Sequence, residues 1–288
     1  MVKLFGNQIY ILKKAKNIQL PVIFSSPHSG SFYTSEFLAS SGLDLIGLRS
    51  SEDAFVNELY DCVPKFGAFF LSAVYPRSWV DLNRSPEELD FRIIKGAPRV
   101  RLTSKTSAGF GVIPRYTGSG NRIQNTMLTM EKAKMRLNQF YFPYHNCLSH
   151  LIKKIHANYG SVLVFDCHSM PSVINLNIRG SDPGPDIVLG DCYGKSCHAD
   201  LINFVEECFQ RHDLKVDRNE PFSGGYITDH YGRPSENIHV IQIEINRSLY
   251  MNEKLITHNS NFDQFKEKIS SVCQNLTNTS VVNLLQDT

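Results

Sequence analysis

Short apolar runs of strand character alternate along this chain with stretches whose apolar residues recur at helical spacing, and that alternation limits the architecture more than any other feature. The runs are residues 20–24, 67–74, 161–165, 186–189 and 238–245. Between 129 and 158, Phe140, Tyr144, Cys147, Leu148, Leu151 and Ile155 recur as one face of a helix. Pro143 lies inside that stretch and predicts a kink or a split, and Gly160 predicts its stop. Further helices are read near 196–211 and, as the closing element, over 259–276. Ser50-Ser51, followed by Glu52, Asp53 and then Phe55, Val56, Leu59 and Tyr60, reads as a helix start. Strands alternating with helices predict an α/β fold, a three-layer α/β/α arrangement.

Residues 1–17 read as an irregular lead-in with room for a short hairpin. Residues 85–125 are rich in Gly, Pro, Ser and Arg and are long for a structureless loop, which points to function or partial order. Without a repeat or a linker, residues 1–288 read as a single domain.

With 42% hydrophobic and 20% charged residues, the chain can build a core without disulfides. Seven cysteines, an odd number spread throughout, fit a reducing compartment better than a disulfide framework. The formal net charge of +2 points to neither nucleic acid nor a membrane surface as partner. The opening Met1-Val2-Lys3-Leu4-Phe5-Gly6-Asn7-Gln8 lacks a long apolar core for a signal, and no run approaches the ~20 apolar residues of a membrane span. A cytoplasmic protein acting on a small molecule is the expectation; the oligomeric state is left open.

Two of the apolar runs lead into histidine motifs, Pro27-His28-Ser29-Gly30 and Asp166-Cys167-His168-Ser169-Met170-Pro171. A side chain just past the carboxyl end of a strand faces the crevice where open α/β sheets bind ligands. Two imidazoles delivered there suggest a metal site, although each taken alone reads as a hydrogen-bonded loop histidine. A catalytic zinc needs three protein ligands and an open position. Glu52 and Asp53 are candidates for the carboxylate, against the plainer reading that both are first-turn helix acids with Ser50-x-x-Asp53 as a capping box.

The segment Pro76-Arg77-Ser78-Trp79-Val80-Asp81-Leu82-Asn83-Arg84 places two arginines and an asparagine just after a strand. Arginine forks grip carboxylates and can stabilise an oxyanion; surface pairing with Glu87, Glu88 or Asp90 is the alternative. Arg115 is a weaker candidate of the same kind. Glu244 lies within a strand-like apolar run, where burial raises a carboxyl pKa and suits it to proton transfer, unless it simply pairs with Arg247. The run Gly190-Asp191-Cys192-Tyr193-Gly194-Lys195-Ser196 is one residue short of a phosphate loop.

Together, Pro27-His28-Ser29-Gly30, Asp81-Leu82-Asn83-Arg84, Tyr141-Phe142-Pro143-Tyr144-His145, Asp166-Cys167-His168-Ser169-Met170-Pro171 and Gln242-Ile243-Glu244 resemble the N-formylglutamate amidohydrolase family from about residue 20 to residue 250. The resemblance implies a zinc-carboxypeptidase-like, phosphorylase/hydrolase-like three-layer fold with a mixed central sheet. It implies His28 and His168 as zinc ligands, Glu244 as general base, Arg77 against the oxyanion, and Asn83 and Arg84 on a substrate carboxylate. Zinc carboxypeptidases carry a ligand glutamate three residues after the first histidine, where this chain has Ser31; the resemblance implies Asp53 as the third ligand, because it matches an acid that the N-formylglutamate amidohydrolase family carries before a run like Val56-Asn57-Glu58-Leu59-Tyr60, with Glu52 in reserve. Another first-row divalent metal would suit the same donors. The implied reaction is hydrolysis of an N-formyl or other N-acyl amino acid, with a link to histidine breakdown. A metallocarboxypeptidase, another deacylase, or a binding protein on this scaffold are the alternatives.

Overall fold

The structure, a computed structural model, describes residues 8–15, 19–172 and 184–287 of the 288. The strands include β1 (Tyr10–Lys13), β2 (Val22–Ser26), β3 (Phe69–Ala73), β4 (Ile94–Lys95), β5 (Leu128–Thr129), β6 (Val162–Met170), β7 (Ile187–Gly190), β8 (Val216–Arg218) and β9 (Ile238–Asn246). Seven of them form one sheet in the order β1-β3-β2-β6-β9-β7-β8. It is mixed: β2, β6 and β9 run parallel, β7 runs antiparallel to β9, and β8 parallel to β7. Helices lie on both sides, which is the three-layer class read from the sequence. No helix among the described residues is long and apolar enough to cross a membrane.

The chain divides into two compact units that alternate in sequence, Met1–Ile11 with Pro27–Ala54 and Ser72–Cys147, and Leu12–Ser26 with Phe55–Leu71 and Leu148–Thr288. The second holds the centre of the sheet. Val22, Ile23, Phe24, Leu163, Val164, Phe165, Val240, Ile241 and Ile243 are all fully buried, as expected for central strands covered on both faces. Each such side chain withdrawn from water contributes about 1.5–3 kcal/mol. The helix Ala199–Gln210 buries Leu201, Ile202, Val205, Cys208 and Phe209, and the helix Phe262–Asn275 buries Phe262, Phe265, Ile269, Val272 and Cys273, each along one face. A further helix, Thr279–Asp287, follows, so the stretch at 259–276 does not close the chain.

Strand β6 is longer than its apolar run. It continues through Asp166, Cys167, His168, Ser169 and Met170, paired with β9 residue for residue. His168 therefore stands inside a strand and not in a loop past its end. The polar residues are tolerated because they alternate: Asp166 and His168 share one face, and Cys167 points to the other.

In the first unit, residues 85–125 are partly ordered. The helix Ser104–Ala108 is capped by Thr103, whose Oγ1 accepts from Thr106 N at 3.1 Å. Asp90 binds Arg92 through both oxygens, at 2.7 and 2.9 Å. Strand β4, also from this region, pairs in parallel with β5. The lead-in includes strand β1; the short hairpin expected there falls partly on residues 1–7 and 16–18, which lie outside the described residues.

The stretch at 129–158 is split as Pro143 requires. An α-helix over Met130–Arg136 passes into a π-helical turn at Leu137–Tyr141 and then into the helix Phe142–Tyr159. Proline has no N–H to return to the preceding turn, and the wider turn absorbs that lost bond. Gly160, at φ 76°, ends the helix in the left-handed region.

Candidate active site

His28 lies two residues beyond β2, in a loop held close to the segment after β3. A Cβ on Gly30 would come within 2.1 Å of the Tyr75 carbonyl oxygen, so only glycine permits this approach. Phe32 N donates to Val74 O at 3.0 Å and fixes the same juxtaposition.

The His28 ring lies between two carboxylates. Its Nε2 is 2.7 Å from Asp81 Oδ1, and its Nδ1 is 3.5 Å from Asp53 Oδ2. Burial pushes the Asp81 carboxyl up, but the Arg77 guanidinium and then His28 outweigh it and hold the group well below the usual carboxylate range. An ionised carboxylate only accepts, so Nε2 carries the hydrogen and donates it. In the neutral ring Nδ1, on the side of Asp53, then bears the lone pair.

Asp53 does not sit in a first helical turn. The helix Leu45–Arg49 is capped by Asp44 and ends with Ser50 as its C-cap, and the next helix, Val56–Leu59, starts after Phe55. Asp53 occupies the buried connection between them, and its backbone N–H donates to His28 O at 3.0 Å. The capping-box reading fails because the preceding helix ends where the new one was expected to start. Glu52 points elsewhere: Arg49 Nε reaches its two oxygens at 3.1 and 3.2 Å, and Tyr33 donates to Oε1 at 2.7 Å.

Asp81 also binds Arg77, whose Nη2 donates to Oδ2 at 2.8 Å, and Asn83, whose backbone N–H donates to Oδ1 at 2.9 Å. The chain beyond it is braced from the split helix. Tyr141 donates to Arg84 O at 2.7 Å, His145 Nε2 lies 2.8 Å from Leu82 O, and the two rings stack at 4.2 Å. Arg115 is engaged with Asp90 at 3.4 Å, Ser107 O at 3.2 Å and the face of Tyr116. None of those contacts involves His28 or Asp81.

On the sheet, His168 of β6 is the register partner of Glu244 of β9, and Asp166 is that of Gln242. Register partners leave the same face, so four polar side chains form one patch there. His168 Nε2 is 3.1 Å from Asp166 Oδ2, and Gln242 Nε2 donates to Glu244 Oε1 at 2.8 Å. Arg247, one sequence candidate for pairing with Glu244, donates to Ser169 Oγ at 3.0 Å.

Among the described residues, His28, Asp53 and His168 form a group able to hold a metal ion: each offers one ligand atom, all within 4.8 Å of one another, and all three residues are buried. The donor set fits. Ligand bonds of about 2.0–2.1 Å in a tetrahedral site place neighbouring ligand atoms ~3.4 Å apart, close to the His28–Asp53 spacing of 3.5 Å. Three protein donors also leave a position for a reactant. Sequence reasoning gave no role to Asp81, Asp166 or Tyr141. The visible signal for the two acids was a carboxylate within two residues of a candidate ligand or substrate residue in each motif.

Residues 20–251 match the protein family described as N-formylglutamate amidohydrolase. The chain is 30% identical over 236 residues to N-formylglutamate deformylase of Pseudomonas putida, covering 82% of this chain and 83% of that one. It is 28% identical to the Pseudomonas aeruginosa N-formylglutamate deformylase over 242 residues, covering 83% and 85%. The crystal structure of N-formylglutamate amidohydrolase from Ralstonia eutropha JMP134 superposes with a TM-score of 0.87 at 30% identity, covering 97% of this chain and 99% of that one. By sequence and by structure, this chain belongs to the N-formylglutamate amidohydrolase family.

Proposed function

We propose that this protein hydrolyses the amide bond of N-formyl-L-glutamate, or of a closely similar N-acyl amino acid, to formate and the free amino acid, with a divalent metal, zinc by donor type, held by His28, Asp53 and His168. The observation that carries the reading is the His28–Asp53–His168 group with Glu244 as the register partner of one of its members. The relatives' own activity supports the substrate class.

A bound zinc ion supplies Lewis-acid polarisation of the acyl carbonyl and makes water a nucleophile near neutral pH. Glu244 takes a proton from the attacking water and passes it to the leaving amine, a transfer worth about 10²–10⁴ in rate. Gln242 holds the Glu244 carboxylate in place for both transfers. Arg77, oriented by Asp81, donates to the developing oxyanion. Asn83 and Arg84 grip the substrate carboxylate, with Arg115 as a more distant participant, and the brace from Tyr141 and His145 fixes the backbone that carries them.

The test is glutamate release from N-formyl-L-glutamate by purified protein, before and after chelator stripping and again after zinc is returned. Turnover lost with the metal and restored by zinc supports the reading. Undiminished turnover in stripped protein overturns the metal role. No turnover by zinc-loaded protein overturns the substrate and moves the search to other acyl amino acids.

A further inference from the structure

We infer that Asp81 is a positioning residue with two separable tasks: it sets the tautomer of His28 through one oxygen and holds the Arg77 guanidinium through the other. The inference rests on the metal reading of His28 given above and goes beyond it by assigning a residue that makes no bond to metal or substrate.

Asp81 is 2% exposed, and its backbone N–H is tied to Val112 O at 2.8 Å, so the carboxylate has a fixed origin. Oδ1 accepts from two donors, His28 Nε2 at 2.7 Å and Asn83 N at 2.9 Å. Oδ2 accepts from Arg77 Nη2 at 2.8 Å. The two oxygens thus serve two parts of the site. The Oδ1 contact keeps the hydrogen on Nε2 and turns Nδ1 toward Asp53; hydrogen-bonded carboxylates of this kind raise the basicity of a ligand imidazole and fix its plane. The Oδ2 contact fixes the plane of a guanidinium that would otherwise sample several rotamers.

The two tasks predict different variants. In Asp81→Asn the amide oxygen remains where two donors converge, at Oδ1, because placing the NH2 there would set donor against two donors. The NH2 then faces Arg77 Nη2, again donor against donor, and the arginine is released. Asp81→Ala removes both contacts.

The experiment measures zinc affinity by competition with a chromophoric chelator, alongside kcat and KM for N-formyl-L-glutamate, on the full chain carrying each substitution. Asp81→Ala is expected to weaken zinc binding by about 10–100-fold. Asp81→Asn is expected to bind zinc within about threefold of the unsubstituted protein while kcat falls at least tenfold and KM changes little. Unchanged zinc affinity in Asp81→Ala overturns the inference. So does Asp81→Asn with unchanged kcat, or with zinc lost as deeply as in Asp81→Ala. If Asp81→Ala does not fold, the zinc affinity and kcat of Asp81→Asn decide alone. Failure of the unsubstituted protein to bind zinc is a separate result that removes the metal reading itself.

Discussion

His168 and Glu244 are register partners on adjacent parallel strands, so their side chains leave the same face of the sheet side by side. Pairing along β6 and β9 sets this relationship, and no loop has to fold for it to form. A proposed ligand and a proposed proton carrier therefore share one rigid platform, the arrangement that best preserves geometry in a site.

Glu244→Gln keeps the shape and keeps an oxygen to accept from Gln242, but removes the base. We predict a fall in kcat of at least about 100-fold with little change in KM or in bound zinc. Steady-state kinetics with metal analysis on the same preparation checks it; activity within a few fold of the unsubstituted enzyme sinks the assignment.

His168→Ala should behave differently. It removes one member of the three-residue group, so zinc content and turnover should fall together. Full activity in this variant would falsify the proposed metal set.

These assignments were unequally legible in the sequence. His28 and His168 could be found because each follows a run of buried β-type residues, and a strand end is a local signal. By spacing alone Asp53 read as a helix-capping acid, since nothing local showed that the preceding helix stops at Ser50, and only the family resemblance singled it out as a ligand. What identifies Asp53 is its contact with His28 through backbone and side chain, and that contact depends on the folded loop. The full extent of β6 was hidden for a related reason. Its second half is polar on one face, and an apolar-run reading ends at the first charge, whereas the β9 partner carries the pairing through to Met170. The only signal for Asp81 was its place two residues before Asn83; its importance is a matter of three donors converging on one buried side chain.

Arg84→Lys tests the substrate grip. Lysine keeps the charge but loses the two-pronged fork, so KM should rise about tenfold, the equivalent of one charge-assisted hydrogen bond, with kcat changing less. An unchanged KM in steady-state assays removes Arg84 from substrate binding.

Gly30→Ala tests the loop geometry without touching a proposed chemical group. The new methyl would sit 2.1 Å from the Tyr75 carbonyl oxygen, which belongs to the backbone and cannot rotate away. We predict destabilisation of about 1–3 kcal/mol, read as a lower midpoint in urea, together with weaker zinc binding as the His28 loop shifts. A midpoint equal to that of the unsubstituted protein contradicts the close approach.

The last prediction concerns a histidine far from this chemistry in sequence register. His239 enters β9 fully buried, neither ring nitrogen has a hydrogen-bond partner among the described residues, and the ring of His198 lies 5.0 Å away. Burial, with a smaller contribution from His198, pushes its pKa down to about 4. An unfolded histidine protonates near 6.5, so between about pH 6.5 and 4 the unfolded chain takes up a proton that the folded chain refuses. Stability is therefore complete above the unfolded value and is lost as pH falls toward the folded one, by up to about 3 kcal/mol for this group. Urea unfolding at pH 7.5 and pH 5 measures the slope, and His239→Leu should flatten it while leaving stability at pH 7.5 nearly unchanged or raised. An identical pH slope in His239→Leu would show that the acid sensitivity of the fold arises at other groups.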